Sequence, residues 1–177
     1  MDESPKKFDK DILKKRDGAI KSIANWDDGI TDPEIIAIKY RSLEEILAHY
    51  GIDLKKVKVL ELGSGNEVFL NYMRSQGVDA IGVDAQPRGG GEHSQVARIE
   101  QLPFPDNSFG VIVSELNFDS GPYNQNQNLM MREIARVLNH GGIYYGSEPF
   151  KDTNIQAIDG FDKLPLSNPG LDIYKKS

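Results

Sequence analysis

The strongest constraint on this chain is a change of hydrophobic period at Val57. From there on, apolar runs of strand length alternate with segments of helical period. Residues 57–62 (VKVLEL) read as a strand, 67–76 as a helix closed by Gly77, and 80–84 (AIGVD) as a second strand. A short strand is expected at 96–99 and a buried one at 111–114. A helix follows at 129–138, ended by Asn139, His140, Gly141 and Gly142, then another strand at 143–146. The last segment offers a short helix near 152–158, and 161–166 with 171–174 read as a hairpin around Ser167, Asn168, Pro169 and Gly170. Such alternation predicts an α/β fold with a mostly parallel sheet and helices on both faces. Ligands of these sheets bind beyond the carboxyl ends of the strands, so chemistry is sought just after each one.

Upstream, residues 5–24 are weakly helical, with Phe8, Ile12, Ala19, Ile20 and Ile23 as apolar points. Asp32 before Pro33 is a helix-start signal, and Ile36, Tyr40, Leu43, Ile46, Leu47 and Tyr50 then share one face until Gly51. Trp26, the only tryptophan, lies between these segments. A length of 177 residues fits one domain, residues 1–177, with 1–30 as an N-terminal helical extension. The absence of cysteine excludes disulfides, Cys-ligated zinc, iron–sulfur clusters and thiol nucleophiles. His49, His93 and His140 match no metal-ligand spacing, so no metal is expected; His140 reads as part of the helix-ending turn and His93 as part of a mobile loop. The formal charge is −6, and since residues 1–16 carry six basic and four acidic groups, the body stands at −8. That charge repels phosphate backbones and argues against a nucleic-acid partner. No apolar run reaches membrane-span length and the start lacks a signal-peptide core, so a cytoplasmic location is the expectation.

The first strand leads into Glu61-Leu62-Gly63-Ser64-Gly65-Asn66-Glu67, a glycine-rich turn where the main chain can bend sharply and meet a ligand without a Cβ between them. Asp84, at the end of the second strand and 21 residues past Gly63, can accept both hydroxyls of an adenosine ribose. Together they point to a nucleotide-like cofactor. A dinucleotide fingerprint needs a third glycine where Val68 stands. Glu61 also suits a ligand carrying ammonium and sulfonium better than a pyrophosphate, so the residues favour S-adenosylmethionine over NAD.

Four blocks in order carry a resemblance: Val59-Leu60-Glu61-Leu62-Gly63-Ser64-Gly65, Ile81-Gly82-Val83-Asp84, residues 102–109 (LPFPDNSF) and residues 132–142 (REIARVLNHGG). Over about residues 35–150 the chain resembles a class I S-adenosylmethionine-dependent methyltransferase, most of all the small-molecule branch of ubiquinone and menaquinone C-methyltransferase-like proteins. The resemblance implies a three-layer Rossmann-like fold whose C-terminal strand is reversed, here the hairpin. It implies that Glu61, Gly63, Ser64 and Gly65 line the methionine end of the cofactor and that Asp84, with Ala85 beside it, holds the ribose. It further implies that Ile99 and Glu100 lie beside the adenine and that Ser114 and Glu115 border the methyl group.

The chain departs from the family pattern at Glu67, where relatives have glycine and where a carboxylate is added near the cofactor's own. It also departs at Arg98, a donor only where relatives place an accepting Asp, and at Gly110, where Asp is usual. Leu116, Asn117, Phe118 and Asp119 stand where histidines are frequent.

The expected activity is methyl transfer to a small-molecule acceptor, for which positioning matters more than any one catalytic side chain, and no catalytic residue is assigned. Asn117, Asp119 and Tyr123 after the fourth strand, and Glu148 after the fifth, are the candidate acceptor-binding groups. Trp26 and Tyr40 stand where relatives often close a lid. The chain has no room for an inserted acceptor cap. Either the N-terminal helices and the loop at 117–127 hold a small acceptor, or a protein partner or second copy completes the wall. The alternative function is a non-catalytic binding or scaffold module on the same fold.

Overall fold

The computed structural model describes residues 11–21, 31–86, 91–114, 126–146, 158–166 and 171–177. The helices are α1 (Asp11–Lys21), α2 (Pro33–His49), α3 (Val68–Ser75) and α4 (Gln127–Val137). The strands are β1 (Lys58–Leu62), β2 (Asp79–Asp84), β3 (Ser94–Val96), β4 (Phe109–Ser114), β5 (Leu138–Gly146), β6 (Phe161–Lys163) and β7 (Asp172–Lys176). They form one sheet in the order β3-β2-β1-β4-β5-β7-β6, parallel from β3 to β5. β7 pairs antiparallel with both β5 and β6, which is the expected C-terminal reversal. The mostly parallel α/β sheet predicted from the alternation is therefore the observed fold.

Alternation along the strands builds two cores. On one face Val59, Val111, Val113, Ile143, Tyr145 and Ile173 pack against Ile36, Tyr40, Leu43 and Leu47 of α2 and Phe69, Leu70 and Met73 of α3. On the other, Leu60, Leu62, Val83, Ile112 and Tyr144 pack against Met130, Met131 and Ile134 of α4. α2 starts where the sequence indicates: Asp32 accepts from the Glu34 N–H at 2.8 Å, with Pro33 in the first turn. α1 packs on α2.

Two local readings change. The short third strand lies at Ser94–Val96, not 96–99, because the Ala97 N–H donates to the Asp84 carbonyl and ends the ladder there. Ile99 and Leu102 turn into the α4 core instead. The stretch Asn139–Gly142 is no helix stop. β5 begins at Leu138 directly after α4, and these residues form a bulge that shifts the register against β4 between Phe109 and Val111. Gly110 also has a physical reason, since a Cβ there would lie 2.7 Å from Cβ of Val57. Of the expected helix at 5–24, residues 11–21 are helical, and most of the short helix at 152–158 lies outside the described residues.

Arg136 joins two distant blocks. Its guanidinium donates to both Glu133 oxygens (2.7 and 2.8 Å), to Asp106 (2.8 Å) and to the carbonyls of Phe104 (2.8 Å) and Leu102 (3.0 Å). Glu133 in turn accepts from the Leu102 N–H at 2.9 Å. The hydrogen bonds from Arg136 hold the Glu133 carboxyl below its ordinary value. A lowered carboxylate stabilises the fold fully above the unfolded value, near about 4.3, and loses that contribution as pH falls through the folded value. Glu133→Gln is expected to flatten the loss of stability between about pH 6 and about pH 3, read from urea midpoints. An unchanged pH profile would show that this carboxylate does not anchor the loop.

Candidate functional site

The chain leaves β1 through backbone that only a glycine-rich sequence adopts easily: Gly63 and Gly65 have φ of 73° and 51°. The Gly63 and Ser64 N–H groups both donate to the Val83 carbonyl, at 2.8 and 3.1 Å, which ties the turn to the end of β2. Asp84 completes the tie. One carboxylate oxygen accepts from the Gly65 N–H at 2.9 Å and the other from the Gln86 N–H at 2.7 Å. Each oxygen keeps a lone pair for a further donor. Gly63, Ser64, Gly65, Asp84 and Ala85 are thus one local unit.

Glu67 shows where its side chain goes. It takes a left-handed conformation, φ 61° and ψ 15°, at the start of α3 and is buried. That conformation costs a non-glycine residue about 1–2 kcal/mol. Its carboxylate accepts from the His93 N–H at 3.1 Å, directing one oxygen toward β3. Nearby, the Ser64 and Ser94 hydroxyls meet at 2.7 Å, and the Gly82 N–H donates to the His93 carbonyl at 2.9 Å. His93 is therefore held by its backbone where a mobile loop residue was expected. This clasp of Glu67, His93 and Ser94 escaped sequence reasoning because its partners are more than 25 residues apart.

Glu61 is 6% exposed and shares the face of β1 that carries Val59 and meets α2 and α3. Ile99 is buried in the α4 core, and Glu100 pairs with Arg98 at 3.0 Å. Ser114 is 1% exposed at the end of β4, and a Cβ at its sheet neighbour Gly146 would fall 2.5 Å from the Tyr144 hydroxyl. Burial pushes the Tyr144 phenol far above its usual range. α1 adds a buried guanidinium, that of Arg16, 5.7 Å over the Tyr145 ring near the end of β5. Tyr40 is a packing residue: it meets Tyr72 edge-on at 5.5 Å and donates to Glu44. Glu115, Asn117, Asp119, Tyr123 and Glu148, as well as Trp26, lie outside the described residues. Among the described residues no group of three His, Asp or Glu is placed to hold a metal, and no helix is long and apolar enough to cross a membrane.

A parallel sheet with one reversed strand, a glycine turn after β1 and an acid ending β2 define the class of S-adenosylmethionine-dependent methyltransferase folds. Residues 60–146 match the family model described as a methyltransferase domain. S-adenosylmethionine is the cofactor that this domain implies. Among solved structures, a proposed S-adenosyl-L-methionine-dependent methyltransferase from Methanococcus maripaludis aligns over 100% of this chain and 97% of its own, at 18% identity and TM-score 0.57. The PH0226 protein of Pyrococcus horikoshii aligns over 78% of this chain and 92% of its own, at 18% identity and TM-score 0.53. Both show the fold. The chain spans only about half of other matched structures, such as 55% of a SAM-dependent methyltransferase from Methanosarcina mazei, which covers 55% of this chain at 22% identity and TM-score 0.48. No curated protein matches the chain in sequence.

Gly82 tests how tightly the unit is built. A Cβ there would lie 2.5 Å from the Ser94 hydroxyl and 2.6 Å from Cβ of Ser64. Gly82→Ala is expected to lower stability by about 1–3 kcal/mol in urea denaturation. A midpoint equal to that of the unmodified protein would show that the two serines yield freely.

Proposed function

We propose that this protein is an S-adenosylmethionine-dependent methyltransferase acting on a small-molecule acceptor, in the branch of ubiquinone and menaquinone C-methyltransferase-like proteins. The observation that carries the reading is the Asp84 carboxylate fixed on the Gly65 and Gln86 N–H groups at the mouth of the glycine turn. A carboxylate oriented in this way suits two vicinal ribose hydroxyls, because both of its oxygens are already aligned and can still accept. When bound, the cofactor supplies a methyl group activated by its sulfonium.

The chain's residues bind, orient and exclude water. In this reading the buried Glu61 carboxylate takes the cofactor's ammonium. Ala85 stands beside Asp84 at the ribose, Ile99 and Glu100 border the adenine, and Ser114 with Glu115 borders the transferred methyl. Asn117, Asp119, Tyr123 and Glu148, which follow β4 and β5 in sequence, are the acceptor-binding groups in this reading. In this reading either a small acceptor fills this side or a protein partner or second copy completes it. A second reading, cofactor binding without transfer, is favoured by Arg98, which pairs with Glu100 where relatives place an accepting Asp.

Calorimetric titration tests the proposal with S-adenosylhomocysteine, the demethylated product. Binding by the unmodified protein is expected, with affinity reduced at least about tenfold in Asp84→Ala while the far-UV circular dichroism shows the fold intact. Absence of binding would refute the reading, and equal affinity in the variant would mean the ribose lies elsewhere. Binding without turnover on a broad acceptor panel would select the non-catalytic alternative.

A further inference from the structure

We propose that the start of α4, with the Gln127 amide, is an anchoring site for a carboxylate on the methyl acceptor. The inference rests on the methyltransferase reading and deepens it by naming the acceptor's chemistry. α4 connects β4 to its parallel neighbour β5, so it runs antiparallel to them and begins at the carboxyl edge of the sheet, the edge at which Ser114 ends β4. That edge is where the acceptor must approach the cofactor.

Two independent observations converge there. First, among the described residues α4 has no side-chain cap: Asn126 precedes it with φ −141° and ψ 38° and makes no capping bond, and the first turn contains no acidic residue. The positive end of an eleven-residue helix therefore lacks the compensation that Asp32 gives α2. Second, Gln127 is 3% exposed and both its Nε2 and Oε1 are buried without a hydrogen-bond partner among the described residues. Burying both ends of an amide unbonded is destabilising, and native proteins rarely keep such a group without a use for it. Helical side chains lean toward their own N-terminus, so this amide and the helix end address the same space.

The ligand chemistry follows from the two atoms. Nε2 and the helix end favour an oxyanion, while Oε1 needs a donor beside it. A single carboxylate with a neighbouring amine or hydroxyl meets both requirements. A more highly charged anion is disfavoured, because the first turn brings no Lys or Arg and the body of the chain is acidic. The expected acceptor is thus a small amino- or hydroxy-carboxylic acid, held by its carboxylate while the neighbouring nitrogen or oxygen lies near the end of β4.

The test uses the full chain loaded with S-adenosylhomocysteine and titrated with glycine, lactate and 2-aminobenzoate, against glycinamide and 2-aminobenzamide as neutral-tail controls. At least one carboxylate is expected to bind and its amide to bind at least about tenfold more weakly. Two variants separate a ligand site from a packing defect. Asn126→Asp places a negative charge at the helix start and Gln127→Leu removes the unbonded amide, so both are expected to raise the thermal midpoint. Both are also expected to weaken carboxylate binding at least about tenfold while leaving S-adenosylhomocysteine affinity within about twofold. Carboxylates that all fail to bind, or that bind the variants as tightly as the unmodified chain, would overturn the inference while leaving the cofactor reading standing. If the unmodified chain does not take up S-adenosylhomocysteine, the methyltransferase reading itself falls, and this inference with it.

Discussion

The carboxyl edge of the sheet depends on how β1 is stitched to β2 as the chain leaves it. Two consecutive N–H groups, of Gly63 and Ser64, share the Val83 carbonyl, and the next residue's N–H is taken by Asp84. Three donors that a turn would otherwise leave unsatisfied are thereby fixed by the last two residues of a neighbouring strand. The turn can then hold left-handed backbone at Gly63, Gly65 and Glu67 without becoming a loose loop. Gly82 makes room for the serine pair that ties in β3, and Glu67 holds His93. The link between β2 and β3 contains no helix among the described residues, and these contacts do part of what a packed helix would otherwise do.

A second tie organises the opposite end. Arg136 and Glu133 pin residues 102–106 to α4, and α4 runs directly into β5 through a bulge at Asn139–Gly142. The chain thus fixes the amino end of the sheet with a half-buried ionic clasp and gathers buried polar groups at the carboxyl end. Glu61, Ser114 and Gln127 are all buried at that end. A fold optimised only for stability would not gather so much buried polarity on one edge.

Much of this was legible in the sequence, for identifiable reasons. The parallel sheet follows from continuous apolar strands such as 109–114, buried on both faces, and the glycine turn and Asp84 follow from residue types that few other positions require. Two boundaries were not legible. β3 is mostly exposed, with Val96 among the most exposed apolar residues, so its apolar pattern does not mark it, whereas Ile99 looks like strand and is core. The bulge in β5 carries the Asn-His-Gly-Gly composition of a helix stop, and only the crowding between Gly110 and Gly142 shows that it is paired strand. The clasp at His93 and the unbonded Gln127 amide depend on partners, or on their absence, in three dimensions, which no spacing in the sequence encodes. The fold comparisons reach the fold and the family match covers residues 60–146, while the acceptor is left to the chemistry of the site.

The central claim is that the unit of Glu61, the glycine turn and Asp84 receives S-adenosylmethionine. A crystal structure of the protein with S-adenosylhomocysteine bound tests it most directly. The expected result is a ribose with both hydroxyls within hydrogen-bond distance of Asp84, an amino group on Glu61, and a sulfur facing the end of β4 at Ser114. A ligand bound with its ribose away from Asp84, or seated outside the carboxyl edge of β1 and β2, would contradict it.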